Sequence, residues 1–251
     1  TLISFDKKGT IMAADTLIND FELPFQLYDV LDSEKLTEHA KFSEHNRETF
    51  DAVLDTAKKI ATDLFLPHNH LADKNESQFD GKTVSMIDGV KVAFDAFKDS
   101  GFIAGRYSFE DGGMQLPETV MTAVAGYFMS ANPSTTAYPF LTSAAINVIS
   151  HFASDEVKDA FMPRMLTGEF TGTMALTEPH AGSSLSDIRT TATEQEDGSY
   201  RIKGSKIYIS GGDHELSDNI VHLVLAKIPG GPGGVKGISL FVVPKYRLLE
   251  D

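Results

Sequence analysis

The residues best equipped for chemistry fall in two short stretches. One is Met174-Ala175-Leu176-Thr177-Glu178-Pro179-His180-Ala181-Gly182-Ser183-Ser184, and the other is Gly204-Ser205-Lys206-Ile207-Tyr208-Ile209-Ser210-Gly211-Gly212. A small-residue loop such as Ala181–Ser184 lets backbone N–H groups and hydroxyls approach a ligand closely, which suits a phosphate or a flat cofactor. Read as a strand, the second stretch puts Tyr208 and Ser210 on one face. Hydroxyls at Thr177, Ser183 and Ser210, beside the aromatic Tyr208, could hold a flat heteroaromatic ring with hydrogen-bonding edges. The plainer reading stays open: an exposed strand aromatic and turn-forming hydroxyls.

Other reactive types lead less far. Glu178 is the obvious carboxylate, but Pro179 follows it directly, and it reads as part of the loop's hydrogen bonding rather than as a base. Ser183 and His180 are too near in sequence to imply a catalytic triad, and no Gly-x-Ser-x-Gly occurs. His68 and His70 could pair on a metal, but with no third ligand nearby they read as a solvated loop after a helix. No metal site is expected. The absence of cysteine removes disulfides, thiolate nucleophiles and thiolate metal sites, and fits a reducing cytoplasm.

The elements that must position these stretches change character along the chain. Apolar residues recur at helical spacing over residues 49–66, where Phe50, Val53, Leu54, Ala57, Ile60, Ala61, Leu64 and Phe65 share one face and Pro67 is expected to end the helix. Similar patterns predict helices over 11–31, broken or kinked at Pro24, and over 88–99, 118–131 and 136–152, with a shorter one after Ser154. Gly101 stands where a helix C-cap is expected, and Gly112-Gly113 reads as a turn before Pro117. From Phe170 the period becomes two. Strands are expected over 170–177, 188–195, 200–209, 220–228 and 236–243, with Asp197-Gly198 turning a hairpin.

This order predicts an α+β protein: an N-terminal arm (1–35), an all-helical domain (36–168), and an antiparallel β-barrel or sandwich (169–251). The β part looks unfinished at Asp251, as if a larger protein were partly present.

Composition bounds the function classes. The chain has 251 residues, 41% hydrophobic and 23% charged, with a net charge of −14. Such an acidic balance argues against a general nucleic-acid binder. No run approaches the ~18 apolar residues of a membrane span. Residues 1–8 lack the pattern of a signal peptide.

Taken together, the two stretches and their separation resemble the flavin-binding signature of the acyl-CoA dehydrogenases. Two positions depart from it: His180, where Gly is usual, and Ser184, where Asp is usual. Within the family the likeness is nearest to the branch that dehydrogenates 3-methylmercaptopropionyl-CoA and related fatty acyl-CoAs. It is carried by Tyr208 to Asn219 and by the arm at 11–31.

The resemblance implies FAD as cofactor. By position it implies that Leu176 and Thr177 meet the flavin ring, that Met174 and Ile209 line the site, and that Ser183 meets the FAD pyrophosphate and the acyl-CoA. Tyr208 replaces a more common Trp beside the flavin, and Ser210 replaces a Thr whose hydroxyl reaches the flavin.

The implied reaction removes a proton from Cα and a hydride from Cβ of an acyl-CoA thioester. The family's usual base is a Glu in a C-terminal helical bundle absent from this sequence, so no catalytic base is expected within these residues and the piece alone is expected to be inactive. An electron-transferring flavoprotein as acceptor and a homodimer or homotetramer are implied likewise, with no nucleic acid and no membrane. An acyl-CoA oxidase, a non-catalytic flavin-binding relative and a purely structural fragment remain alternatives.

Overall fold

The computed structural model describes residues 17–248. The chain divides into two compact units, residues 1–137 and residues 138–251, with the division inside one helix.

In the first unit the expected helix over 11–31 falls partly outside the described residues. Its described part is a short α-turn, α1 (Glu22–Pro24), running straight into a π-helical turn, Phe25–Val30. Pro24 does not end it. Pro24 sits in the first turn, where a backbone N–H has no helical partner anyway.

Helix α2 (Arg47–Ile60) is capped by Asn46, whose Oδ1 accepts the Thr49 N–H while Thr49 Oγ1 accepts the Asn46 N–H, both at 2.9 Å. The expected stop at Pro67 is overturned. A π-turn, Ala61–Phe65, leads into α3 (Leu66–Lys74), and the Leu66 N–H reaches back five residues to Ala61 O. This wide turn opens the ladder where a proline ring would otherwise meet the preceding carbonyl.

His68 is therefore helical and buried rather than in a solvated loop. Its Nδ1 lies 2.7 Å from Leu64 O and its Nε2 2.7 Å from Thr135 Oγ1. His70 is exposed. No group of metal-binding side chains exists among the described residues.

A two-residue hairpin, β1 (Gln78–Phe79) with β2 (Val84–Ser85), was not signalled by periodicity. Helix α4 (Asp88–Asp99) ends as expected at Gly101, whose φ is +74°. Gly113 is required by close approach: a Cβ there would stand 2.2 Å from Tyr107 O. Pro117 stands at the N-cap position of α5 (Glu118–Ala131). Phe65, Phe97 and Phe102 meet Phe128 edge-on at centroid distances of 4.8, 4.7 and 5.8 Å, the favoured aromatic geometry for a core.

The second unit begins within α6 (Pro133–Phe152). Helix α7 (Asp155–Leu166) follows, with Ser154 Oγ accepting the Val157 N–H. Strand β3 (Phe170–Ala175) lies beside β6 (Asn219–Lys227), and β7 (Ile238–Pro244) covers the opposite edge of β6. Strands β4 (Thr191–Glu194) and β5 (Tyr200–Lys203) form the expected hairpin, with Gly198 left-handed at its turn.

Two expectations are corrected here. The sheet is mixed rather than antiparallel, because β3 and β6 run parallel, and β4 meets the end of β6 in parallel at Thr191 and Lys227. Among the described residues the strands do not close into a barrel. The cause is the long excursion from Ala175 to Asn219, which brings the chain back to run in its original direction. The second correction concerns residues 200–209. The strand stops at Lys203, since Gly204 packs its backbone on Thr190 and Tyr208 is left-handed at φ 56°.

No helix among the described residues is long and apolar enough to cross a membrane.

Candidate functional site

Strand β3 delivers Met174 half-buried at its end, paired in register with Leu223 of β6. Beyond it the chain turns sharply. The Glu178 N–H donates to Ala181 O (2.7 Å) and the Ala181 N–H returns to Glu178 O (3.1 Å), leaving Pro179 and His180 exposed on the tip. The small-residue loop follows, and its Gly182 lies against the Thr177 side chain: a Cβ there would be 3.3 Å from Thr177 Cγ2.

Three bonds stitch this turn to the second stretch. Lys206 Nζ donates to Leu176 O (3.0 Å) and to Glu178 Oε1 (2.8 Å), and the Ile207 N–H donates to Thr177 O (3.0 Å). The two stretches singled out by sequence thus meet along their backbones. Tyr208 and Ser210 do not share a strand face, because the strand ends before them.

Glu178 is the anchor of the frame. Only 3% exposed, it accepts at Oε1 from the Thr190 N–H (3.0 Å), Thr190 Oγ1 (2.5 Å) and Lys206, and at Oε2 from the Arg189 N–H (2.7 Å). Burial alone would raise its pKa, but these donors outweigh burial and lower it from 4.5 to about 2. A general base works best with a pKa near the operating pH and a free oxygen. Glu178 has neither and acts as a brace. His180 Nε2 lies 3.2 Å from Asp187 O, and the Ser183 hydroxyl makes no bond to it, so the pair forms no hydrolytic couple.

Around this frame lie hydroxyls that make no side-chain hydrogen bond within the chain. Among the described residues, the side-chain oxygens of Thr177, Ser183, Tyr208 and Ser210 have no hydrogen-bond partner in the chain, while the adjacent Ser184 is engaged with Ser186. Tyr208 is 89% exposed, and Ser183 and Ser210 are exposed as well, whereas Leu176, Thr177 and Ile209 are half-buried. A braced backbone bearing open hydroxyls and an outward aromatic ring matches the donor set a flat cofactor with polar edges requires.

Sequence reasoning missed Lys206, Thr190 and the buried His214. Lys206 was in plain view within its stretch. Its role shows only once Glu178 has folded back toward it.

Comparison with known proteins covers the same ground. A family model described as "Acyl-CoA dehydrogenase, N-terminal domain" matches residues 47–169, and "Acyl-CoA dehydrogenase, middle domain" matches residues 173–248. The chain is 41% identical to a 3-methylmercaptopropionyl-CoA dehydrogenase of Ruegeria pomeroyi over 81% of its own length and 35% of that protein's. It is 34% identical to a butyryl-CoA dehydrogenase of Syntrophomonas wolfei over 92% of its length and 38% of that protein's. The chain therefore spans little more than a third of these relatives. An acyl-CoA dehydrogenase of Bacillus anthracis, solved in complex with FAD, shares the fold at a TM-score of 0.63 and 22% identity, over 81% of this chain and 32% of that one.

Proposed function

The chain belongs to the acyl-CoA dehydrogenase family, carrying its N-terminal and middle domains, and from that premise we propose that the braced turn at Thr177 and Tyr208 seats FAD for α,β-dehydrogenation of an acyl-CoA thioester. The observation that carries this reading is the set of four hydroxyl oxygens without a partner in the chain, around a frame in which Glu178 and Lys206 pair with each other. Thr177 and Ser210 supply hydroxyl donors to the flavin's polar edge. Met174, Leu176 and Ile209 line the site, and Tyr208 gives an aromatic wall. Ser183, on the exposed loop, binds the pyrophosphate of FAD and the acyl-CoA. When bound, the flavin supplies the acceptor for the hydride leaving Cβ.

As the family resemblance implies, the Cα proton goes to a Glu outside these residues; Glu178, its oxygens engaged by four donors and its basicity lowered, does not take it. The 251 residues alone therefore do not turn over substrate. An electron-transferring flavoprotein takes the electrons onward, and the working unit is a homodimer or homotetramer. The substrate class is 3-methylmercaptopropionyl-CoA and related fatty acyl-CoAs, a reading supported by the likeness to the Ruegeria protein.

The donor assignment is tested by titrating FAD into the full-length protein. Thr177→Val keeps the shape of the side chain and removes its hydroxyl. It is expected to weaken FAD binding about fivefold, the worth of one hydrogen bond of ~1 kcal/mol. Unchanged affinity in this variant and in Ser210→Ala would remove both residues from the site.

A further inference from the structure

The turn that carries Tyr208, Ile209 and Ser210 has little bonding of its own. The Gly212 N–H donates to Ile209 O (3.0 Å), and Tyr208 and Gly211 are both left-handed, with φ of 56° and 62°. What holds the turn lies at its ends. One end is the bond from the Ile207 N–H to Thr177 O. At the other end Asp213 accepts from Lys245 Nζ (2.7 Å), and next to it stands His214, 2% exposed and not used by the reaction above.

We propose that His214 is a positioning residue for the turn Tyr208–Gly212, its neutral ring fastening that turn to β3 and α6 and so fixing Tyr208 and Ser210. The inference rests on the FAD reading above. Its geometry defines one proton arrangement. The Leu216 N–H donates to His214 Nδ1 (3.2 Å), so the proton of the neutral ring sits on Nε2 and points to Thr171 Oγ1 on β3 (3.3 Å). Thr171 in turn donates to Ser217 Oγ (2.9 Å), and Ser217 to Asn219 O (2.8 Å). Every member of this chain is satisfied, which specifies a single conformation. The ring also stands edge-on to Tyr138 of α6 at 5.2 Å and 88°. The same Tyr138 ring underlies Gly211, where a Cβ would approach Cδ1 to 3.4 Å. His214 and the turn therefore share one support.

The surroundings keep the ring neutral. Burial, followed by Lys245 beyond β7 and weakly by His222 of β6, lowers the His214 pKa from 6.5 to about 4. Asp213 opposes this and is itself paired with Lys245 at 2.7 Å. Tyr138, raised by burial, stays uncharged. A second proton would turn Nδ1 from acceptor into donor, facing the Leu216 N–H.

The test is FAD affinity and bound-flavin fluorescence in the full-length protein, from about pH 5 to about pH 8. His214→Phe is expected to weaken FAD binding about tenfold and to leave the bound flavin more fluorescent. His214→Gln, which restores a polar partner, is expected to recover affinity to within about threefold of wild type. Thr171→Val breaks the chain at its far end and should weaken binding similarly, which keeps the question answerable where His214→Phe does not fold. A folded His214→Phe or Thr171→Val protein that binds FAD as tightly as wild type, with the same fluorescence, overturns the proposal. Failure of the wild type itself to bind FAD overturns instead the reading on which it rests.

Discussion

Glu178→Ala is expected to destabilise the protein by about 3–5 kcal/mol, the range for removing one partner of a buried ion pair. The size follows from what the carboxylate satisfies. Its loss strands the Lys206 ammonium, whose side chain is only 12% exposed, together with the Thr190 hydroxyl and the backbone N–H groups of Arg189 and Thr190. Each buried donor left unpaired carries its own desolvation cost. Glu178→Gln keeps the shape and one acceptor oxygen and should fall between the two. In Glu178→Ala combined with Lys206→Met the stranded ammonium is gone, so the pair is expected to lose less than the sum of its singles. Urea unfolding reads these values. The chain has no tryptophan, so the transition is followed by far-UV circular dichroism. A Glu178→Ala protein within about 1 kcal/mol of wild type would mean that the turn is held by something other than this carboxylate.

Acidification is expected to destabilise the protein in two overlapping steps. His214 has a folded pKa of about 4 against an ordinary 6.5, so between these values the unfolded chain binds a proton that the folded chain refuses. Its contribution is complete above pH 6.5 and is lost as pH falls toward 4, about 3 kcal/mol for a shift of that size. Glu178, lowered from 4.5 to about 2, contributes above pH 4.5 and loses its contribution as pH falls toward 2. That step is worth about 2–3 kcal/mol once solvent reaching the Lys206 end of the pair is allowed for. The measurement is stability against pH in urea, wild type beside His214→Gln. The variant should show a smaller upper step, what remains coming from His222, whose pKa burial also lowers, and should keep the lower one. A wild-type stability that stays level from pH 6.5 to pH 4 would contradict the neutral, buried assignment of His214.

How much of this was legible in the sequence depends on the range over which each feature is decided. Local features read well. The 88–99 helix with its Gly101 cap, the Asp197-Gly198 hairpin turn and the switch from helices to strands near Phe170 all appear where pattern put them. Features set by distant contacts did not. Pro67 is a valid stop signal within its own turn, but the π-turn before it removes the clash, and His68 is thereby buried against Thr135. The direction of β6 beside β3 depends on a long connection, which periodicity does not encode. Alternation carried the strand on to Ile209, while the backbone of Gly204 against Thr190 ends it at Lys203.

The site divides in the same way. Its small-residue loop and hydroxyls are visible as residue types. Which hydroxyls stay unengaged, and that Lys206 and Thr190 brace Glu178, follow only from the fold.

The central claim is that the braced turn seats a flavin that oxidises an acyl-CoA. The most direct measurement is an anaerobic titration of the FAD-loaded full-length protein with 3-methylmercaptopropionyl-CoA and with short fatty acyl-CoAs, followed by flavin absorbance and by the mass of the thioester. The account predicts that the oxidised flavin bleaches as a product two hydrogens lighter appears, with slow recovery of colour in air. A protein that holds FAD yet shows no bleaching with any of these thioesters, or one whose colour returns at once in air, would contradict it.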